Sequence, residues 1–161
     1  MVIWIIGLSG SGKTFLAKKL ESILKKKTKI IIVDGDEVRE KITYKFGYDI
    51  QGRKKNSRLI SDLCNYLEFK GYCVICPILS IFRSHQKKNR RLFKKYIQVY
   101  IKSSIEELKR RNNKFIYKKK NVVGKNIKFP EPYKSDIIVK NDFTKNFKKE
   151  IKKIVTIINK K

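Results

Sequence analysis

The sequence predicts an α/β fold in which a five-stranded parallel sheet carries helices on both faces. Short apolar runs rich in β-branched residues alternate with helical patterns along the chain, and this alternation is typical of βαβ units. The first run, residues 2–6, is apolar at every position, as expected for a central parallel strand that is covered on both faces. The 161 residues are enough for a real core, and we expect a single domain spanning residues 1–161.

Five strands are predicted from the apolar runs. After the first they cover residues 29–33, 72–76, 96–101 and 136–139. We expect Pro77 to end the third strand, because proline has no N–H group to donate to a sheet ladder.

Six helices are predicted between and after these strands. The first follows residue 14 and ends within residues 25–27, and the others cover 37–44, 53–69, a basic stretch that ends near 94, 104–111 and 143–158. The inner side of the helix over 53–69 is expected to carry Leu59, Ile60, Leu63 and Leu67. Ser104 and Glu107 have the spacing of a capping box. Residues 112–135 lack apolar periodicity, and such a long segment in a compact domain is usually functional, so we expect a lid there.

The net charge of the chain is strongly positive. It carries 41 Lys and Arg against 14 acidic residues, a formal charge of +27. A polyanionic partner is one reading of this excess, and a solvated lysine surface is the other. Because the lysines are spread over every predicted helix, we expect small nucleotides rather than nucleic acid as partners. No apolar run has the length of a membrane span and no leader pattern precedes the first strand, so we expect no membrane contact and a cytoplasmic location.

The three cysteines do not indicate a metal site. Cys73 and Cys76 have C-x-x-C spacing but lie within a predicted strand. Side chains three positions apart on a strand point to opposite faces, so these two thiols cannot bind one ion together. We therefore expect reduced thiols buried in the core.

A phosphate-binding loop is predicted directly after the first strand. Residues 7–14 match the pattern G-x-x-x-x-G-K-[ST], and an amphipathic helical pattern follows them. The glycines allow main-chain N–H groups to point inward at phosphate, beside the positive end of the helix dipole. We expect Lys13 to contact the β- and γ-phosphates of ATP and Thr14 to bind Mg²⁺. The predicted ATP-binding residues are Gly7, Ser9, Gly10, Ser11, Gly12, Lys13 and Thr14.

Two aspartates follow the second predicted strand. Asp34 and Asp36 flank Gly35, and polar residues at the carboxyl end of a parallel strand often carry function. One carboxylate could hold Mg²⁺ and the other could accept a proton from an attacking hydroxyl group. We predict Lys13, Asp34 and Asp36 as catalytic residues and Thr14 and Asp34 as metal ligands; the alternative is a solvated Asp-Gly turn.

Arginine is scarce in this lysine-rich chain, which favours a specific use for it. Planar guanidinium groups suit bidentate phosphate contacts, and the candidates are Arg39, Arg53, Arg58 and Arg83. His85 is the only histidine, and we expect it on the surface at the start of a helix.

Together these segments resemble the adenylylsulfate (APS) kinase family. The resemblance covers roughly residues 2–140 and depends on the P-loop, the run from Asp34 to Arg39, Gly47-Tyr48, Arg53 to Arg58, Phe82-Arg83 and the run from Arg111 to Lys119. This combination is much more specific than the P-loop alone.

The resemblance implies a P-loop kinase fold with a lid, and ATP and Mg²⁺ as cofactors. Family members transfer the γ-phosphoryl group of ATP to the ribose 3′-hydroxyl of a 5′-modified nucleotide. It implies that Asp36 lies near that hydroxyl group and that Arg39, Arg53 and Asn56 hold the acceptor. Arg111 would lie over ATP in the lid, with Lys114 and Lys118 beside the acceptor.

Departures from the family pattern concern the ends of the acceptor. Two phenylalanines that stack on adenine in APS kinases correspond to Tyr48 and Val122 here, and the family's S-P-F-R corresponds to Ser80-Ile81-Phe82-Arg83. We include Tyr48, Ser80, Phe82, Arg83 and Val122 among the predicted acceptor-binding residues.

A short, lysine-rich branch of the family resembles the chain more than the APS kinases do. That branch includes cytidine diphosphoramidate kinases of capsule biosynthesis, and a pyrimidine would need less stacking surface. APS kinase is the first alternative, and an ATP-independent nucleic-acid-binding protein or a nucleotide sensor belongs to another class. A homodimer is left open.

Overall fold

The computed structural model describes residues 1–42, 46–111, 120–141, 143 and 147–159. Within these residues the chain forms five parallel strands in the order β2-β3-β1-β4-β5. The elements in chain order are β1 Val2–Gly7, α1 Lys13–Leu24, β2 Ile30–Ile32, α2 Gly35–Lys41, α3 Ile50–Phe69, β3 Cys73–Ile78, α4 Arg83–Leu92, β4 Tyr96–Lys102, α5 Ile105–Arg110, β5 Ile137–Lys140 and α6 Phe147–Asn159.

Strand β1 is the centre of the sheet because both of its faces are apolar. Ile3 and Ile5 pack with α1 and α6, in a layer that includes Leu16 and Ile154. Val2, Trp4 and Ile6 point to the other face and pack against α3 through Ile60 and Cys64. All residues from Val2 to Ile6 are fully buried. The predicted sheet with helices on both faces is confirmed.

Pro77 lies inside β3, so the prediction that it ends the strand was wrong. It pairs with Ile5 of β1. Cys73 N donates to Lys29 O on the β2 side, whereas Val74 N donates to Met1 O on the β1 side. Alternate residues face alternate neighbours, so position 77 faces the β2 side, where β2 has already ended at Ile32. The missing N–H group of proline therefore breaks no ladder bond.

Two helices begin earlier than predicted because their capping residues lie further upstream. Asp34 caps α2, which starts at Gly35 instead of Glu37 and ends at Lys41. Asp49 caps α3, which starts at Ile50 instead of Arg53. A Cβ atom at Gly52 would collide with the main chain of Gly47, so only glycine allows the turn before α3 to pack on its first helical turn.

The inner face of α3 is more polar than predicted. Ile60 is fully buried, but Leu59 is 36% exposed, so its placement on the inner side was wrong. Leu63 and Leu67 are half-buried and contact the core. The buried positions instead include Asn56, Ser57 and Ser61, because this helix end faces a cleft rather than the core alone.

Three smaller predictions can be compared directly. Ser104 Oγ accepts from Glu107 N and so caps α5 as expected, but the Glu107 carboxylate pairs with Arg110 and Arg111 instead of completing the predicted capping box. Cys73 and Cys76 belong to the two opposite core layers, and all three thiols are buried and free. Helix α6 begins at Phe147 rather than Phe143, whose φ of 63° lies in the left-handed region.

No helix among the described residues has both the length and the apolarity that crossing a membrane requires.

Candidate active site

The P-loop connects β1 to α1 in the order that the sequence predicts. Gly10 and Gly12 have φ values of 82° and 97°, a region that glycine enters without strain. A Cβ atom at Gly7 would collide with Ser11 Oγ and with the carbonyl oxygen of Ile101. The loop therefore needs glycine at all three positions. Helix α1 starts without a side-chain cap and has no acid in its first turn, and this start faces the cleft above the loop.

Lys13 is held across the loop to which it belongs. Its Nζ donates to Leu8 O at 2.9 Å, and the side chain is half-buried. Lys13 lines a cleft of about 200 Å³ together with Ser9, Gly10, Gly12 and Thr14. Gly7 and Ser11 are buried and support the loop rather than line this cleft.

Asn141 is a site residue that sequence reasoning missed. It is 7% exposed, and its Nδ2 donates to Ser11 O at 2.9 Å from the end of β5. Its Oδ1 accepts from Phe143 N at 2.9 Å. A buried asparagine at a strand end gave no local signal, because its partner is 130 residues away in sequence.

Asp34 joins the P-loop to α2. Its Oδ2 accepts from Thr14 Oγ1 at 2.9 Å, and its Oδ1 accepts from Asp36 N at 2.9 Å. Among the described residues there is no cluster of three or more His, Cys, Asp or Glu side chains that could hold a metal alone. Thr14 and Asp34 nevertheless fit Mg²⁺, since this ion is usually bound through one or two carboxylates together with the phosphates of a ligand.

Asp36 lines the P-loop cleft and also a second cleft beside it. The second cleft has a volume of about 30 Å³, and Ile78 and Leu79 at the end of β3 line both spaces. We call it the arginine cleft, after the residues that line it, which include Asp36, Arg39, Tyr48, Arg53, Asn56 and Ser57. The exposed Asp36 carboxylate thus stands where the two clefts meet.

The two arginines of this cleft organise its outer wall. Arg39 Nη1 donates to Phe46 O at 2.9 Å and to Gly47 O at 2.8 Å. Arg53 Nε donates to Tyr48 O at 2.8 Å. Both guanidinium groups also lie over the Tyr48 ring, at 4.8 Å and 5.7 Å from its centroid.

These arginines carry incompletely compensated charge. Burial lowers the pKa of Arg39, and burial together with the nearby Arg39 lowers the pKa of Arg53. Both groups stay charged because an arginine pKa starts far above neutral pH. Two half-buried cations next to each other favour an anionic ligand in the cleft.

Asn56 offers an unused acceptor in the same cleft. Its side chain is 4% exposed, and its Oδ1 has no hydrogen-bond partner among the described residues. Buried polar atoms are usually satisfied, so this oxygen fits a donor group from a ligand.

The predicted residues after β3 are more scattered. Ser80 is buried, and its carbonyl oxygen accepts from Gln86 Nε2 at 3.2 Å. Phe82 packs against His85, and exposed Arg83 lies over the Tyr133 ring at 5.8 Å. None of these three lines either cleft.

His85 was expected on the surface, but it is half-buried. Its Nδ1 lies 2.9 Å from Ser57 Oγ. Burial, and then Arg58, Lys54 and Lys88, lower the pKa of His85.

The structure describes some of the predicted lid residues but not others. Val122 is 6% exposed and packs with Leu8, Ile81 and Leu108, so it does not line the clefts. Asn121 O accepts from Arg53 Nη2 at 2.9 Å, which joins this segment to α3. Lys114 and Lys118 lie outside the described residues.

Arg111 is held by an acid and a ring. Its Nε lies 2.6 Å from Glu107 Oε1, and its guanidinium group lies 4.4 Å from the Phe143 ring centroid. Hydrogen bonds from Arg110 and Arg111 lower the pKa of Glu107.

The loops after β1, β2 and β3 therefore converge, but the loop after β4 does not line either cleft among the described residues. Two clefts share one carboxylate, one of them above a P-loop and the other lined by arginine.

A family model described as adenylylsulphate kinase matches residues 1–140. The chain belongs to the adenylylsulphate kinase family.

Relatives of the APS kinase family support this membership. The chain is 34% identical to the cytidine diphosphoramidate kinase of Campylobacter jejuni, over 96% of this chain and 94% of that protein. It is 35% identical to the adenylyl-sulfate kinase of Thermodesulfovibrio yellowstonii, over 88% of this chain and 75% of that protein. As a member of this family the chain is a kinase, and kinases of the family use ATP and Mg²⁺.

A solved structure shows the same fold. The APS kinase CysC of Mycobacterium tuberculosis, in complex with AMPPNP and APS, matches with a TM-score of 0.87 at 22% identity, over 98% of this chain and 96% of that chain. The predicted P-loop kinase fold and the predicted family are confirmed.

Proposed function

We propose that this kinase transfers the γ-phosphoryl group of ATP to the ribose 3′-hydroxyl of a 5′-modified nucleotide. The observation that carries the proposal is the position of Asp36, which lines both the P-loop cleft and the arginine cleft. A donor held in one cleft and an acceptor held in the other would meet at this carboxylate. Phosphoryl transfer depends mainly on such positioning and on neutralising charge.

The polar groups around ATP have these proposed tasks. The main-chain N–H groups of residues 9–14 and the Lys13 ammonium group bind the β- and γ-phosphates. Thr14 and Asp34 hold Mg²⁺, and Arg111 belongs to the lid over ATP. When bound, Mg·ATP supplies the phosphoryl group and part of the charge neutralisation.

On the acceptor side, Asp36 accepts the proton of the 3′-hydroxyl group. The 3′-oxygen forms its bond to the γ-phosphorus while the bond between that phosphorus and the β–γ bridging oxygen breaks, and the proton goes to the carboxylate. Arg39 and Arg53 orient the acceptor phosphates, and the exposed ring of Tyr48 stacks on the base. Asn56 Oδ1 accepts a hydrogen bond from the acceptor.

We further propose cytidine diphosphoramidate as the acceptor. The similarity to the Campylobacter jejuni enzyme extends over nearly the whole length of both proteins. The buried position of Val122 supports the choice as well, because Tyr48 is then the one aromatic ring among the described residues that line the arginine cleft. APS is the second candidate acceptor, since the sequence identity to the Thermodesulfovibrio yellowstonii adenylyl-sulfate kinase, 35%, is just as high.

A coupled ADP-release assay with cytidine diphosphoramidate and APS in parallel tests the acceptor. We expect a higher kcat/KM with cytidine diphosphoramidate and a product that carries phosphate on the ribose 3′-oxygen. A higher kcat/KM with APS would assign the second acceptor, and ADP release that neither nucleotide stimulates would refute the proposed reaction.

The substitution D36N tests the proposed base. It should lower kcat by about 100- to 10,000-fold, the usual contribution of a positioned base, with the KM for ATP little changed. The matched control is E40Q, which changes an exposed carboxylate further along α2. Equal kcat values for D36N and E40Q would exclude Asp36 as the base.

A further inference from the structure

A third cleft lies between α3 and α4, and one of its lining residues, His85, is hydrogen-bonded to Ser57 of the arginine cleft. Its volume is about 410 Å³, compared with about 200 Å³ for the P-loop cleft. We call it the His85 cleft, and its charged and hydrogen-bonding lining includes Lys54, Arg58, Asp62, Ser84, His85 and Lys88. Three of these side chains are cationic and one is acidic. The proposed reaction uses none of them.

The positive charge of the His85 cleft is not neutralised by ion pairs. Within the part of the chain that the structure describes, no carboxylate lies within 4.0 Å of the charged groups of Lys54, Arg58 or Lys88. Other cations do find acids, for example Arg90 with Asp136 at 3.1 Å. The His85 cleft thus keeps its cations for a ligand or for solvent.

The start of α4 adds to the positive potential. This helix has ten residues, its N-cap Phe82 supplies no side-chain acceptor, and no acid lies in its first turn. Ser84 of that turn lines the cleft. The positive end of the helix dipole and the first-turn hydroxyl group therefore lie at the same cleft as the three cations.

His85 reports on the charge of this cleft. Phe82 and Ser57 contact the imidazole ring, while Lys54, Arg58 and Asp62 from α3 and Lys88 from α4 share the cleft with it. Burial, and then Arg58, Lys54 and Lys88, lower its pKa. The three cations, with only one acid beside them in this cleft, therefore favour the neutral form of the ring.

We propose that the His85 cleft binds a phosphate-type oxyanion, at a site separate from the P-loop. The anion is either free or the phosphate group of a nucleotide. Three cationic side chains, a serine hydroxyl and a helix start are the groups that proteins use to bind phosphate. The site does not depend on the proposed acceptor, because these groups bind the anion whichever nucleotide the kinase phosphorylates.

Anion binding in this cleft would reach the arginine cleft through one hydrogen bond. A neutral His85 can accept a hydrogen bond from the Ser57 hydroxyl group at Nδ1, whereas a protonated His85 must donate a hydrogen bond from Nδ1 to Ser57 Oγ. An anion favours the protonated ring. The Ser57 hydroxyl group, which lines the arginine cleft, would then be free to donate there.

Proton NMR of the single histidine tests the proposal, because its Hε1 resonance needs no further assignment. Inorganic phosphate is titrated at fixed ionic strength and pH 7, followed by pH titrations with and without it. We expect a saturable shift of the resonance and a rise of the His85 pKa by about 1, as for an opposite charge within a few ångströms. The K13A variant removes binding at the P-loop and should keep this response.

Charge variants locate the effect. K54Q/R58Q/K88Q should lose the saturable response, and R58Q alone should weaken the apparent affinity for phosphate. The matched control K25Q/K26Q/K27Q removes the same charge from exposed residues after α1 and should respond like the wild type. An equal response in the two triple variants, or its loss in K13A, would overturn the site.

Cytidine 5′-diphosphate distinguishes the two sources of the anion. A saturable response to inorganic phosphate alone assigns a free anion. A response to the nucleotide but not to phosphate, if it is lost in K54Q/R58Q/K88Q, assigns the phosphate group of a nucleotide in this cleft. If neither ligand shifts the resonance of wild-type His85, the proposal is wrong.

Discussion

At the scale of single residues, Lys13 shows how the P-loop positions its own cation. Its ammonium group donates to Leu8 O within the same loop, so the loop curls around its own positive charge. The main-chain amides and this ammonium group then need little rearrangement to meet a phosphate. Preorganised charge of this kind is usually the largest electrostatic contribution to catalysis.

We predict that K13A lowers kcat by about 100-fold or more, comparable to the loss of one preorganised donor in an enzyme site. The melting temperature should change little, because the side chain is half-buried and lies outside the core layers. The control is K18A, which removes an exposed lysine of the same helix. Full activity of K13A with an unchanged melting temperature would exclude the proposed role.

The residue scale is also where sequence reasoning succeeded best. Residues 7–14, Asp34 and Asp36 could be placed in one site because their spacing carries a mechanism. Ser57, Leu79 and Asn141 could not, since their roles depend on neighbours that are distant in sequence. His85 was misplaced for the same reason, because its burial depends on Ser57 of α3.

At the scale of elements, Asp34 both caps α2 and faces the P-loop. One carboxylate oxygen accepts from the main chain of α2 and the other accepts from Thr14. The start of the helix and the proposed metal site are therefore fixed by the same side chain. Loss of the side chain and loss of its charge should have different effects.

We predict that D34A lowers the free energy of unfolding by about 1 kcal/mol, the usual cost of losing an N-cap. D34N should keep most of the stability, because an amide oxygen still accepts from Asp36 N, but it should require more Mg²⁺ for half-maximal activity. Urea denaturation and Mg²⁺ titrations measure the two effects, with E40A as the control on the exposed side of α2. Equal loss of stability in D34A and D34N would contradict the capping argument.

Element boundaries were harder to predict than the elements themselves. Alternating apolar runs were enough for the five strands, but the starts of α2 and α3 depend on caps at Asp34 and Asp49. Pro77 was misjudged because its tolerance depends on the length of β2, which residue 77 does not encode. Leu59 was misplaced because the inner face of α3 borders a cleft and accepts polar residues there.

At the scale of the whole molecule, Asn141 links the last strand to the first loop. Its main-chain N donates to Lys102 O and its side chain donates to Ser11 O. The P-loop conformation thus depends on the completed sheet, including β4 and β5.

We predict that N141D destabilises the fold by about 1–3 kcal/mol, since it leaves the carbonyl oxygen of Ser11 without a donor. The KM for ATP should rise at the same time, because that carbonyl group belongs to the P-loop. Urea denaturation and ATP saturation curves measure both effects, and N65D on α3 is the control. A rise of KM equal to that of the control would separate Asn141 from the P-loop.

The placement of the cysteines allows the opening of the two core layers to be followed separately. Cys73 lies in the layer beneath α1 and α6, whereas Cys64 of α3 and Cys76 of β3 lie in the layer between α3 and the sheet. Burial raises the pKa of Cys73 and Cys76. Protonated thiols in a closed interior react slowly with alkylating reagents. Brief alkylation followed by peptide mass spectrometry would therefore record which side of the sheet separates from its helices first.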